Sequence, residues 1–223
     1  VSFCIFDCSG QELGSFCYLG LSKRLKEHLS KSSSQVIIIF LQGIEMIKST
    51  DHNDAIIHQE WCSPCGWLDL ASIGNSLVMS DWVEGWHRLP TLSRFRRLTK
   101  KQFEAGTSPV IEKAKAQLIE YFQGKREDFD LPLEFIGTDF QKRVWTALLH
   151  IPFGETKNYG EIAATVGCQA YQAVGGAVGA NPLSIIVPCH RVIGANGKLT
   201  GYGGGFEAKT WLLSHERAKF YLS

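Results

Sequence analysis

The chain has 223 residues, 44% of them apolar and 20% charged, with a formal net charge of +1. These proportions exclude a disordered tail and leave room for one large core or two small domains. They also exclude a general basic field for nucleic acid, so any such partner must meet a local surface.

No apolar run approaches the ~18 residues of a membrane span; Val36 to Leu41 is only a short one. Residues 1–20 lack the basic start and long apolar stretch of a secretory signal. The seven cysteines are odd in number and irregularly spaced. They argue against a secreted disulfide scaffold and for a reducing, intracellular setting. Cys62 and Cys65 form a lone CxxC. A zinc site would want a second pair or a histidine at ligand spacing, and His58 lies on the wrong side, so the pair reads as a loop before a strand and no metal is expected.

Residues 1–58 read as an extension of unknown role. Within it, Leu21 to Leu29 suggests a short helix and Lys31 to Ser34 a turn or linker. Residues 59–131 read as a small α/β domain. Trp67 to Ala71 and Leu77 to Met79 are short strands around a Gly74-Asn75 turn. Arg88, Arg94, Arg96, Arg97, Lys100 and Lys101 follow with no acid between Glu84 and Glu104. This basic stretch reads as a solvated face, with phosphate contact the alternative. Ser108-Pro109 then supplies an N-cap and a proline at the first helical position. Ile111, Ala114, Leu118 and Phe122 recur at helical spacing, and Gly124 ends the run.

Residues 132–223 read as a second, mainly helical domain, giving an α+β chain. Thr138 to Gln141 is a capping box, with Phe140, Val144 and Leu148 on one face. Asn158 and Glu161 cap the next helix, with Ile162 and Val166 inward and Gly167 as its stop. A third helix spans Ala170 to about Ala180, and Asn181-Pro182 breaks it. Short helices with tight turns outline a helix-turn-helix module. The apolar run Leu183 to Val187 reads as a buried strand delivering Pro188-Cys189-His190-Arg191-Val192. A glycine-rich loop from Gly194 to Gly205 carries Tyr202, and Lys209 to Ala218 reads as the last helix.

A cysteine attacks as its thiolate, and a free thiol with a pKa of about 8.5 is only slightly ionised at neutral pH. It needs a base and something to orient the base. Cys189, His190 and Glu216 are the residue types of nucleophile, base and orienter. Adjacent side chains of a strand face opposite ways, so His190 would work across a turn or through a water. A buried structural cysteine beside a capped histidine is the duller reading.

Asn181-Pro182, Pro188-Cys189-His190-Arg191-Val192-Ile193-Gly194, Thr200-Gly201-Tyr202 and Trp211 to Glu216 together resemble the signature of the O6-alkylguanine-DNA alkyltransferases. The resemblance runs from about Trp61 to Lys219. It implies a small N-terminal α/β domain and a C-terminal winged helix-turn-helix domain that binds duplex DNA and flips the damaged guanine into a pocket. It further implies that Cys189 accepts the alkyl group once per molecule, that His190 takes its proton through water, and that Glu216 holds His190. Asn181 would brace the active-site turn, and Tyr159 would hydrogen-bond the base. Tyr202 would stack on the base, the backbone around Val192 and Gly203 would read the guanine edge, and Val178 would be among the residues that bind substrate or DNA.

Direct displacement at the alkyl carbon requires no cofactor. The glycines of Gly201 to Gly205 are not placed between a strand and a helix as dinucleotide binding demands. The expected partner is double-stranded DNA carrying O6-alkylguanine, met by a monomer without a membrane. Two positions depart from the family pattern. Gln172 stands where an arginine usually enters the base stack, and Gly179 where some relatives are basic. The alternative is a non-catalytic winged-helix sensor of alkylated guanine. The presence of Cys189 argues against it, while Gln172 keeps it open.

Overall fold

Two tight turns and three runs of β-formers build a meander after residue 55. Its strands are β3 (Ile56–Ser63), β4 (Gly66–Ile73) and β5 (Ser76–Trp82). They pair antiparallel in sequence order, and β6 (Phe103–Ala105) joins β3 in parallel, giving the order β5-β4-β3-β6. The expected Gly74-Asn75 turn is present, with Gly74 at φ +54°, but both strands run longer than their apolar kernels. The computed structural model describes residues 2–6, 12–17 and 55–221. Leu21 to Leu29 and Lys31 to Ser34 lie outside the described residues. The chain divides into two compact units, Val1–Lys48 and Ser49–Ser223. In the first, β1 (Ser2–Phe6) and β2 (Glu12–Cys17) form an antiparallel pair that the sequence reading did not foresee.

In the second unit, period-two alternation gives the sheet two dressed faces. Leu68 and Leu70 are fully buried in one core with Ile111, Ala114 and Leu118 of α2 (Pro109–Phe122). Ala71, Val78 and Met79 form a smaller core with Phe95 of α1 (Arg88–Thr99). Each such side chain contributes roughly 1.5–3 kcal/mol on leaving water. α2 starts as its sequence suggests, with Ser108 Oγ accepting from Ile111 N.

The helices that follow are α3 (Asp139–Leu148), α4 (Tyr159–Thr165) and α5 (Tyr171–Gly179). Both expected capping boxes are made, Thr138 with Gln141 and Asn158 with Glu161. Gly167, at φ +65°, turns the chain between α4 and α5. The last carbonyls of α5 lie where regular helical hydrogen bonding runs out, and side chains bond to them. Trp145 Nε1 donates to Ala177 O at 2.8 Å, and Arg94 Nη2 to Ala180 O at 2.9 Å.

That bond corrects part of the reading of the basic stretch. Arg94 is a helix-end donor stacked over Trp145, and Arg88 pairs with the buried Asp69 at 2.7 Å. Arg96, Arg97 and Lys100 are the exposed members.

Leu183 to Val187 is not a strand. Val187 N donates to Leu183 O at 2.8 Å and Ile185 sits at φ +72°, so the run folds into a turn. Its link to the sheet is an isolated bridge, with Ser80 N donating to Pro182 O. A short apolar run is compatible with any buried backbone, and here the Asn181 side chain supplies the hydrogen bonds a strand neighbour would have given. Cys189–Arg191 is a single 3-10 turn leading into β8 (Val192–Ile193), which pairs in parallel with β7 (Lys157–Asn158). The final helix, α6 (Gly205–His215), begins before Lys209 and stops short of Ala218. Among the described residues no helix is long and apolar enough to cross a membrane.

Candidate active site

Cys189 opens the 3-10 turn and is buried, with 7% of its surface exposed. Asn181 Nδ2 donates to its Sγ at 3.0 Å and to Val187 O at 2.9 Å, while Asn181 Oδ1 accepts from Leu183 N at 3.0 Å. One amide therefore ties both ends of the turn and touches the sulfur. Burial pushes the Cys189 thiol up to about 11, against the opposing pull of the Asn181 amide and the Lys209 amine. The resting group is a thiol.

Behind it lies a buried ionic cluster. His190 Nε2 donates to Glu216 Oε1 at 2.8 Å. Arg191 donates through Nε to Oε2 at 2.8 Å and through Nη2 to Oε1 at 3.0 Å. Tyr121 Oη adds a bond to Oε1 at 2.7 Å. Burial alone would raise the Glu216 carboxyl, but His190 and Arg191 outweigh it and hold it well below the usual carboxylate range. Burial pulls the His190 imidazole below its ordinary value, even against Glu216, which leaves a neutral ring able to accept a proton. Burial and the Glu216 charge push the Tyr121 phenol far upward, fixing it as a donor.

A second chain of bonds runs along the other side. Lys209 Nζ is buried and donates to Val192 O at 2.6 Å, to Thr200 O and to Thr200 Oγ1. Thr200 Oγ1 in turn meets Tyr159 Oη at 2.8 Å. Desolvation lowers the Lys209 amine to about 8. This cation thus fixes the Val192 backbone and, through Thr200, the Tyr159 hydroxyl.

A cavity of about 230 Å³ opens over Cys189. Tyr159, Val178, Asn181, Tyr202 and Gly203 line it with the cysteine, so six of the residues expected from sequence share one wall system. His190 and Glu216 stand behind it. Val192 contributes its backbone to the Lys209 chain, and Gln172 is exposed on α5 away from the lining. Sequence reasoning missed Tyr121, Lys209, Trp86 and His87. The last two line the cavity from the loop between β5 and α1. Tyr121 was legible only as a neighbour of the helical face ending at Phe122. Cys62 lies within β3, paired with Trp67 of β4, and not in the expected loop, while Cys65 sits in the β3–β4 turn. Among the described residues no group of three or more His, Cys, Asp or Glu is placed to hold a metal.

A cavity with a buried cysteine at its floor, backed by a His–Glu pair, is common to several chemistries. Comparison with known proteins separates them. Residues 139–218 match the 6-O-methylguanine DNA methyltransferase DNA-binding domain, and residues 60–135 match the ribonuclease-like domain of the same proteins.

The chain belongs to the 6-O-methylguanine DNA methyltransferase family. Within this family it is 60% identical over 104 residues to a methylated-DNA–protein-cysteine methyltransferase of Mycobacterium tuberculosis, covering 46% of this chain and 63% of that one. The matched stretch thus spans somewhat less than two thirds of the mycobacterial relative. A Methanosarcina barkeri methyltransferase is 46% identical over 155 residues, covering 69% of this chain and 92% of the relative. The Mycobacterium tuberculosis OGT, solved in complex with DNA, superposes with a TM-score of 0.61 at 45% identity, over 72% of this chain and 92% of that one. The family's two-part architecture, a small sheet domain followed by a helical domain with a helix-turn-helix, is the architecture of residues 55–221.

Proposed function

We propose that the protein repairs DNA by moving the alkyl group of an O6-alkylguanine onto Sγ of Cys189, once per molecule. The observation that carries this reading is the placement of the Cys189 sulfur on the wall of a cavity shared with Tyr159 and Tyr202, with Asn181 Nδ2 on the sulfur. Family membership supplies the substrate class.

The thiol proton leaves for His190 by way of water, because neighbouring side chains on one 3-10 turn do not face each other. His190 is neutral and held by Glu216, so it can take that proton. The sulfur attacks the alkyl carbon from the side opposite O6. A C–S bond forms as the C–O bond breaks, and the electron pair goes to the guanine ring. Guanine regains its proton at N1, so the protons balance and no oxidant or cofactor enters. The product thioether has no good leaving group, which makes the protein self-consuming.

In this scheme Asn181 braces the turn, Tyr159 hydrogen-bonds the flipped base and Tyr202 stacks on it. The Val192 and Gly203 backbones read its edge, Val178 closes the pocket, and Gln172 fills the vacated stack without adding charge. The protein is taken to act as a monomer inside the cell, where its DNA substrate lies.

The test is the intact mass of the protein after incubation with a duplex bearing one O6-methylguanine. A gain of one methylene per protein, absent in Cys189→Ala, is expected. Lesion binding without a mass gain would establish the sensor instead.

A further inference from the structure

The Cys189 cavity is closed on one side by residues of the sheet domain, and their arrangement is specific. Asp69 and Asp81 face each other across β4 and β5, and neither has any exposed surface. Like charges directly opposite in a sheet repel, and a buried carboxylate needs partners. Asp69 has Arg88 and His58, at 2.7 and 3.0 Å. Asp81 Oδ1 accepts from Trp82 N at 2.9 Å and lies 3.0 Å from His87 Nε2. His87 is thereby fixed in place, 4% exposed, as a wall of the cavity.

The imidazole presents its Cε1 edge to the glycine loop. A Cβ added at Gly203 would collide with His87 Cε1 and sit 3.0 Å from both ring nitrogens. The next residue repeats the pattern, since a Cβ at Gly204 would collide with the Trp82 indole. Two successive glycines thus lie against two rings of the sheet domain, and Tyr202, just before them, makes an edge contact with Trp82 at 5.9 Å. Among the described residues no group hydrogen-bonds His87 Nδ1, so the Asp81 contact and the glycine backbone define the ring's setting.

We propose that His87, anchored by Asp81, is a positioning residue for alkyl transfer, its ring setting the Gly203 backbone where that backbone meets the bound base. This rests on the reading of Cys189 as alkyl acceptor. Displacement of a leaving guanine depends on donors already aimed at the charge that develops, and a shift of about 1 Å in a positioned group costs on the order of a hundredfold in rate. Removing the ring lets the loop relax into the space it held.

The experiment follows single-turnover transfer in the full chain for wild type, His87→Ala and His87→Gln. The substrates are an O6-methylguanine duplex and free O6-benzylguanine. His87→Ala is expected to lower the rate constant at saturating DNA about tenfold to a hundredfold. The half-saturating DNA concentration and the final yield of one alkyl group per protein stay unchanged. The free base shows the same loss, because the wall acts on the base and not on the duplex, and added imidazole restores the rate. His87→Gln keeps an amide for Asp81 but no ring, so it reaches full yield at a lowered rate and serves if His87→Ala does not fold. An unchanged rate constant overturns the proposal. So does a loss confined to the final yield, which marks a folding defect, or one confined to DNA half-saturation. Absence of transfer in the wild type would instead overturn the Cys189 reading, before any variant is compared.

Discussion

Tyr121 Oη donates at 2.7 Å to the same Glu216 oxygen that receives His190 Nε2 at 2.8 Å. A helix of the sheet domain therefore helps to hold the carboxylate that pairs with His190 and Arg191 of the helical domain. Tyr121→Phe removes one charged hydrogen bond and leaves Arg191 and His190 in place. It is expected to cost about 1.5–3 kcal/mol in urea unfolding, with only a few-fold loss of transfer rate. A loss of stability below the range of ordinary surface changes would show that the bond contributes nothing.

Glu216 also predicts how the fold responds to acid. Its folded value lies below the ordinary carboxylate value of 4.5, so the folded state binds fewer protons there than the unfolded chain does. The stabilisation is complete above the ordinary value and drains away as pH falls through the depressed one. Urea midpoints are expected to fall steeply below about pH 4.5 in the wild type and much less steeply in Glu216→Gln. At neutral pH that variant leaves Arg191 buried without its countercharge, at a cost of about 3–5 kcal/mol.

The Cys189 thiol, raised to about 11 by burial, should be sluggish toward a plain electrophile. Iodoacetamide labelling in the absence of DNA is expected to accelerate about tenfold per pH unit and level off only near 11. Asn181→Ala removes the amide that favours the thiolate and moves the plateau higher still. Fast labelling at neutral pH would mean that the thiolate is stored, not generated during the reaction.

Gln172 is exposed on α5 and carries no charge. Gln172→Arg is expected to tighten duplex binding and steepen the dependence of log affinity on log salt by about one. Titrations at several salt concentrations measure this directly, and an unchanged slope would place the residue away from the phosphates.

The features legible in the sequence are those whose physics is local. Ser108-Pro109, Thr138 with Gln141 and Asn158 with Glu161 each satisfy their own helix end within three residues, and each was readable. Cys189, His190 and Glu216 could be grouped from residue type and motif, and the structure does bring His190 and Glu216 into contact. The rest depends on contacts between distant segments. Leu183 to Val187 has a strand's composition but folds as a turn, because Asn181 supplies its hydrogen bonds. Lys209 carries no sign in the sequence that its amine will be drawn inside to hold Val192 and Thr200. Tyr121 and Glu216 are 95 residues apart, and nothing near Tyr121 marks it as anything but core. His87 acquires a role only when β5 brings it beneath Gly203.

The ionic cluster at Glu216 also orders events during synthesis. His190 and Arg191 precede their shared carboxylate by 26 and 25 residues. A chain emerging from the ribosome therefore presents His190 and Arg191 before the carboxylate that pairs with both has left the tunnel. Until the end of α6 folds back, Arg191 has no countercharge and His190 no fixed orientation. The cluster is complete only when the end of α6 has folded back over His190 and Arg191.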